Sequence, residues 1–286
     1  MQVLRAFIFL SVVLLFSNQS YSQTSQKYLL VLNKNEASLT ILDPNDLKVL
    51  GKVTVGDSPH EVVASSDGKL AFVANYGAQT PGNSLSVIDL QTRKELRRVE
   101  LSPLFRPHGI QEIGGKIYFT AETNRAIARF DPATNKVDWL MGTGQNVSHM
   151  IVGTSDQKRF FTANIGLDSV TMFEFANVPP AQSQITNIAV GKQPEAIDLS
   201  PDGKTVYATM PNINEIIVID SATRKETKRM KLESTPLGIV FSKDGKFAFV
   251  SAVEKDFVLK IDLQKLETVA KAETGKAPDG IALTGM

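Results

Sequence analysis

The chain contains three histidines, His60, His108 and His149. Each stands in a similar setting: Pro59-His60-Glu61-Val62, Pro107-His108-Gly109-Ile110 and Ser148-His149-Met150-Ile151. Three further copies of this segment place Glu195, Leu237 and Asp279 where the histidines stand. All but Leu237 are groups that ligate metals or move protons. Imidazoles joined by carboxylates form the donor set of a divalent transition metal such as zinc, with coordination positions left for water or substrate. A metal held by His60, His108 and His149 would polarise a carbonyl or supply hydroxide near neutral pH, with Glu195 or Glu122 handling protons. In the competing reading the imidazoles only hydrogen-bond neighbouring loops. Residue types alone leave both open.

Positioning these residues falls to a repeat. The template is fullest in Pro59 to Val73, Pro194 to Tyr207 and Pro236 to Val250, and the shared position recurs at intervals of 48, 41, 46, 42 and 42 residues. A period in the forties is that of a four-stranded propeller blade. Asp67-Gly68, Gly114-Gly115, Asp202-Gly203 and Asp244-Gly245 are hairpin pairs joining a first strand to a second. Third strands are expected to close on Asp43, Asp89, Asp131, Asp220 and Asp262, whose carboxylates accept N–H bonds from the following turn. Phe173-Glu174-Phe175 breaks that rule and marks the least regular blade. Trp139 reads as outer-strand packing.

Residues 27–56 offer a second, third and fourth strand without a first, and Ala277 to Met286 offers only a first. The expected fold is therefore all-β, a six-bladed propeller of four-stranded antiparallel blades closed by a three-plus-one composite blade, which leaves no free inner edge. In such a fold the shared position faces one mouth of the central channel. The loop after each second strand returns to that mouth and adds Asn33, Asn75, Tyr76, Glu122 and Asn164. Asn33, Asn75, Tyr76, Asn164 and Asp279 are thus the expected ligand-binding residues, with the insertion Gly77 to Asn83 as a lid.

Phe72-Val73-Ala74-Asn75, Tyr118-Phe119-Thr120-Ala121 and Phe161-Thr162-Ala163-Asn164 vary on Tyr-Val-Thr-Asn, and Ser200-Pro201-Asp202-Gly203-Lys204 supplies the accompanying turn. Over nearly the whole mature chain the sequence resembles the YVTN family of propeller repeats, a group that includes the bacterial YncE-like proteins. The resemblance implies a fold more than an activity.

Arg5, the apolar run Ala6 to Phe16 and small residues at Ser20 and Ser22 predict a signal peptide over 1–22, cleaved before a single propeller domain over 23–286. The protein is then periplasmic or secreted. With no cysteine there is neither a disulfide framework nor an acylation site. The chain carries 31 basic and 30 acidic side chains, and loss of Arg5 balances them. That balance gives no long-range field toward nucleic acid, and no membrane insertion is expected of the mature chain. Asn146-Val147-Ser148 is a glycosylation sequon, relevant only in a eukaryotic host. The expected function is an exported binding or scaffold protein, a monomer holding a small molecule, metal or protein at the channel mouth. A metal-dependent lactone hydrolase or lyase is the alternative.

Overall fold

The computed structural model describes residues 27–285 apart from positions 180, 192, 201 and 266. The expected signal peptide lies outside them. Six four-stranded antiparallel sheets form the fold. Blade one joins Pro278–Leu283 to Leu29–Asn33, Ser38–Leu42 and Val49–Thr54. Blade two runs Pro59–Ala64, Leu70–Asn75, Ser84–Asp89, Lys94–Glu100. Blade three runs Pro107–Ile113, Lys116–Ala121, Ala126–Asp131, Lys136–Gly142. Blade four runs Ser148–Gly153, Arg159–Asn164, Ser169–Phe175, Ser183–Ala189. Blade five runs Ile197–Leu199, Thr205–Met210, Glu215–Asp220, Lys225–Lys231, and blade six Pro236–Phe241, Phe247–Ala252, Phe257–Asp262, Glu267–Glu273. No helix among the described residues is long and apolar enough to cross a membrane.

The composite blade closes as its strand inventory requires. Leu29, Leu30 and Val31 pair with Leu283, Ala282 and Ile281, and the Tyr28 amide donates to Thr284 Oγ1 at 2.7 Å. Second strands are buried on both faces because each blade packs against two others, so they read as apolar runs. Leu30, Leu39, Val62 and Val73 fill the contact between blades one and two, and Phe72, Val87, Ile117 and Phe119 that between two and three. Tyr118, Phe160, Phe173 and Phe175 fill the next, with the half-buried Trp139 against them.

Turn chemistry follows the residue types. Asp43, Asp89, Asp131, Asp220 and Asp262 each accept a backbone N–H from the turn that follows. The first hairpins are locked by Ser65–Asp67, Ser200–Asp202 and Ser242–Asp244 hydroxyl–carboxylate bonds of 2.6–2.7 Å.

The feature that matters most for the site is a bulge. In blade two Pro59 pairs with Asn75 but Val62 pairs with Val73, so the inner strand holds one extra residue at His60-Glu61. The same slip follows Pro107, Pro236 and Pro278, and falls at His149 in blade four. A bulge redirects side chains, and here it turns the shared position into the channel. It also brings neighbouring inner strands together: a Cβ on Gly280 would lie 2.3 Å from the His60 carbonyl, and one on Gly109 2.5 Å from Met150 Cα. Only glycine tolerates that approach.

Candidate functional site

At the mouth where inner strands begin, the three histidines form a contiguous chain. His60 Nδ1 and His108 Nε2 are 2.6 Å apart, and the His108 and His149 rings stack at 3.7 Å between centroids. His149 lies between two carboxylates, with Nδ1 on Glu122 Oε1 and Nε2 2.8 Å from Glu195 Oε1. Tyr76 donates its hydroxyl to Glu122 Oε2 at 2.6 Å and packs its ring on His60 at 4.2 Å. Asp279 Oδ2 is 3.7 Å from His60 Nδ1 and 2.7 Å from Lys34 Nζ. The structure thus brings together His60, His108, His149, Glu122, Glu195, Tyr76 and Asp279, from blades one to five.

Asn33, Asn75 and Asn164 are not part of this assembly. They are buried, and their amides are engaged in the framework: Asn33 with Ser38, Thr40 and the Gly275 amide, Asn75 with Ser84, Ser86 and the Gly56 amide, Asn164 with Ser169 and Thr171. They tie the end of a second strand to its own third strand and, in two blades, to the incoming connection. The mouth is reached one residue later, by Lys34 after Asn33, Tyr76 after Asn75 and Glu122 after Ala121. Alternation along a strand explains the displacement.

Three residues that sequence reading passed over also belong here. Lys34 pairs with Asp279. Glu61 holds the bulge position that glycine fills in blades one, three and six, and its Oε2 packs against Gly280. Arg106 lies 4.5 Å over the Tyr76 ring and donates to the carbonyls of Gly77 and Ala78, anchoring the expected lid. A charged residue at a glycine position, or directly before the strand-opening proline, was the available signal.

Electrostatics divide the histidines. Burial alone would depress His149, but Glu195 and Glu122 outweigh it and hold the imidazolium up to about 10. Burial drives His60 down to about 2, aided by the Lys34, His149 and Arg106 cations, and pushes His108 well below its ordinary value, aided by His149. Burial and Asp279 raise Glu61, whereas His149 overcomes burial to lower Glu195. One cation between two anions sits beside two neutral imidazoles. His108 Nδ1 is buried without a hydrogen-bond partner. His108, Glu122 and His149 bring one ligand atom each within 4.8 Å of one another, an N₂O set that suits zinc, iron(II), nickel or copper.

Known proteins resemble this chain in sequence or in fold. Antigen Lp49 of Leptospira interrogans is 22% identical over 203 residues, covering 64% of this chain and 42% of the antigen, so the chain spans less than half of that curated relative. Among solved structures, Kuenenia stuttgartiensis hydrazine synthase superposes with a TM-score of 0.67 at 19% identity, over 89% of this chain and 86% of that one. A chain of a nidogen/laminin complex gives 0.74 at 13% identity, over 90% of this chain and 98% of that one. At such identities the likeness is one of fold. The family model described as "Lactonase, 7-bladed beta-propeller" matches residues 17–283. By that match the chain belongs to the lactonase propeller family, in a form whose described residues build six blades.

Proposed function

We propose that this protein is an exported binding propeller whose channel mouth takes up a divalent transition metal on His108, His149 and Glu122, with His60 and Glu195 beside them. The carrying observation is the convergence of those three donors within 4.8 Å next to an unpartnered buried imidazole nitrogen. If His108 donates Nε2–H to His60, its Nδ1 presents a lone pair with no other partner. His149 must shed its proton to ligate, so uptake releases a proton and weakens as pH falls. The YVTN-like repeats and the leader-like segment 1–22 fit an exported scaffold, and mature protein from the native host should begin at Gln23.

The test is elemental analysis with zinc, nickel, copper and iron(II) titrations of the parent and His108→Ala. Stoichiometric binding that the variant loses by about a hundredfold or more supports the reading. No binding in either leaves only metal-free ligands for this mouth. The family match favours a second reading, ring opening of a lactone with Glu195 or Glu122 as the proton carrier. Turnover of a lactone panel by the metal-loaded parent, abolished in Glu195→Gln, would support it.

A further inference from the structure

The channel has a second end, where the inner strands finish. There a cavity of 560 Å³ opens across blades three to six, lined by Gln111, Glu112, Ser155, Arg159, Asp198 and Lys243 among others. Its chemistry departs from the repeat. Three residues beyond the shared position the six copies read Val63, Gln111, Val152, Asp198, Val240 and Ala282. The position is apolar in four blades, yet the two polar exceptions both line this cavity.

Asp198 Oδ1 accepts the Leu199 amide at 2.8 Å, and the carboxylate also takes a backbone N–H from Phe241. Among the described residues no lysine or arginine nitrogen comes within ion-pair distance of it. The other charges are differently placed. Asp156 and Asp202 serve their hairpins through Thr154 and Ser200, Arg159 points toward Ser221 Oγ at 3.5 Å, and Lys243 is exposed at the rim. Gln111 Oε1 accepts the Gly153 amide, which leaves its NH₂ to donate. The wall therefore presents the half-buried Asp198 carboxylate without a cation, half-buried Glu112 as a second carboxylate, the Gln111 amide donor and, where the cavity meets solvent, the exposed Ser155 hydroxyl. Burial without a counter-charge also pushes the Asp198 carboxyl up to about 7.

We infer that this far end of the channel is a binding site for a small hydroxyl-bearing amine, an amino sugar or amino alcohol, whose ammonium group pairs with Asp198. An ammonium supplies the missing cation and three donors, and the hydroxyls meet Gln111, Ser155 and Glu112. The site is independent of the histidine mouth and of any metal there.

Calorimetric titration with glucosamine and ethanolamine tests it, using N-acetylglucosamine as the control that keeps the sugar but loses the charge. Saturable binding of at least one amine is expected, with N-acetylglucosamine weaker by about tenfold or more. Asp198→Asn is near-isosteric and keeps an oxygen for the backbone donors, and it should weaken the amine by a similar factor. Lys243→Glu, at an exposed position, should tighten it several-fold, and His108→Ala should leave it unchanged. The inference is overturned if neither amine saturates in the millimolar range, if the acetylated sugar binds equally well, or if folded Asp198→Asn binds as the parent does.

Discussion

Glu195 and Asp198 lie three residues apart on blade five, yet their carboxyls shift in opposite directions. Glu195 stands at the histidine mouth, where His149 compensates its burial and lowers it. Asp198 stands near the far end, where burial is uncompensated and raises it. Bulges and glycine contacts draw the inner strands together at the first end and interlock its charges: His149 on two glutamates, Lys34 on Asp279. At the other end a cavity opens across blades three to six, and Asp198 faces it without an ion-pair partner among the described residues. Burial of an acidic side chain thus does not by itself define a site's state; the neighbouring blade decides whether the acid is a satisfied anion or an unmet demand.

Removing residues 277–286 should have the largest effect, because it strips the inner strand from blade one and Asp279 from the mouth, exposing the edge of Leu29–Asn33. Cooperative unfolding should vanish in calorimetry and aggregation should rise. A truncated chain melting like the parent would mean that the ring does not need its composite blade, and that both ends are set within single blades.

His149→Ala comes next. It leaves Glu122 and Glu195 buried without their shared cation and should cost about 3–5 kcal/mol in urea unfolding at pH 7. Because the folded imidazole is held up to about 10 against an ordinary 6.5, its contribution is complete below pH 6.5 and is lost as pH rises through 10. In chelator-treated parent the stability should therefore decline between those values, and the variant should lack that decline. A variant with the parent's pH profile would show that the mouth is not organised around this imidazolium.

Asp198→Asn should produce the smallest change and the opposite sign. The folded carboxyl is raised from 3.8 to about 7, so the native state stays protonated while the unfolded state ionises. Stability is lost as pH rises from 3.8 to 7 and then levels off. The asparagine variant should match the parent near pH 4 and exceed it by about 1–3 kcal/mol at pH 8, after allowance for the carboxyl's partial contact with solvent. A loss of stability at pH 8 would mean that the acid has a counter-charge, and the contrast between the two ends would fail.

Much of the fold was legible because it rests on local chemistry repeated six times. Asp-Gly pairs specify tight hairpins, aspartates after third strands cap the following turns, and continuous apolar second strands require a neighbour on each face. The blade count and the composite closure follow from that period and from which strands the ends of the template lack. The convergence of His60, His108, His149, Glu122 and Glu195 was legible for the same reason, since equivalent positions of a closed repeat must meet at one mouth. What the tertiary structure alone decided is direction and charge. Alternation turned Asn33, Asn75 and Asn164 into framework ties and added Lys34 to the Tyr76 and Glu122 already expected at the mouth. His60, His108 and His149 share one repeat position, but only His149 falls between two carboxylates contributed by other blades, so it alone carries the proton. Those distances depend on how the blades close around the axis, and pKa values follow from distances and burial rather than from residue type.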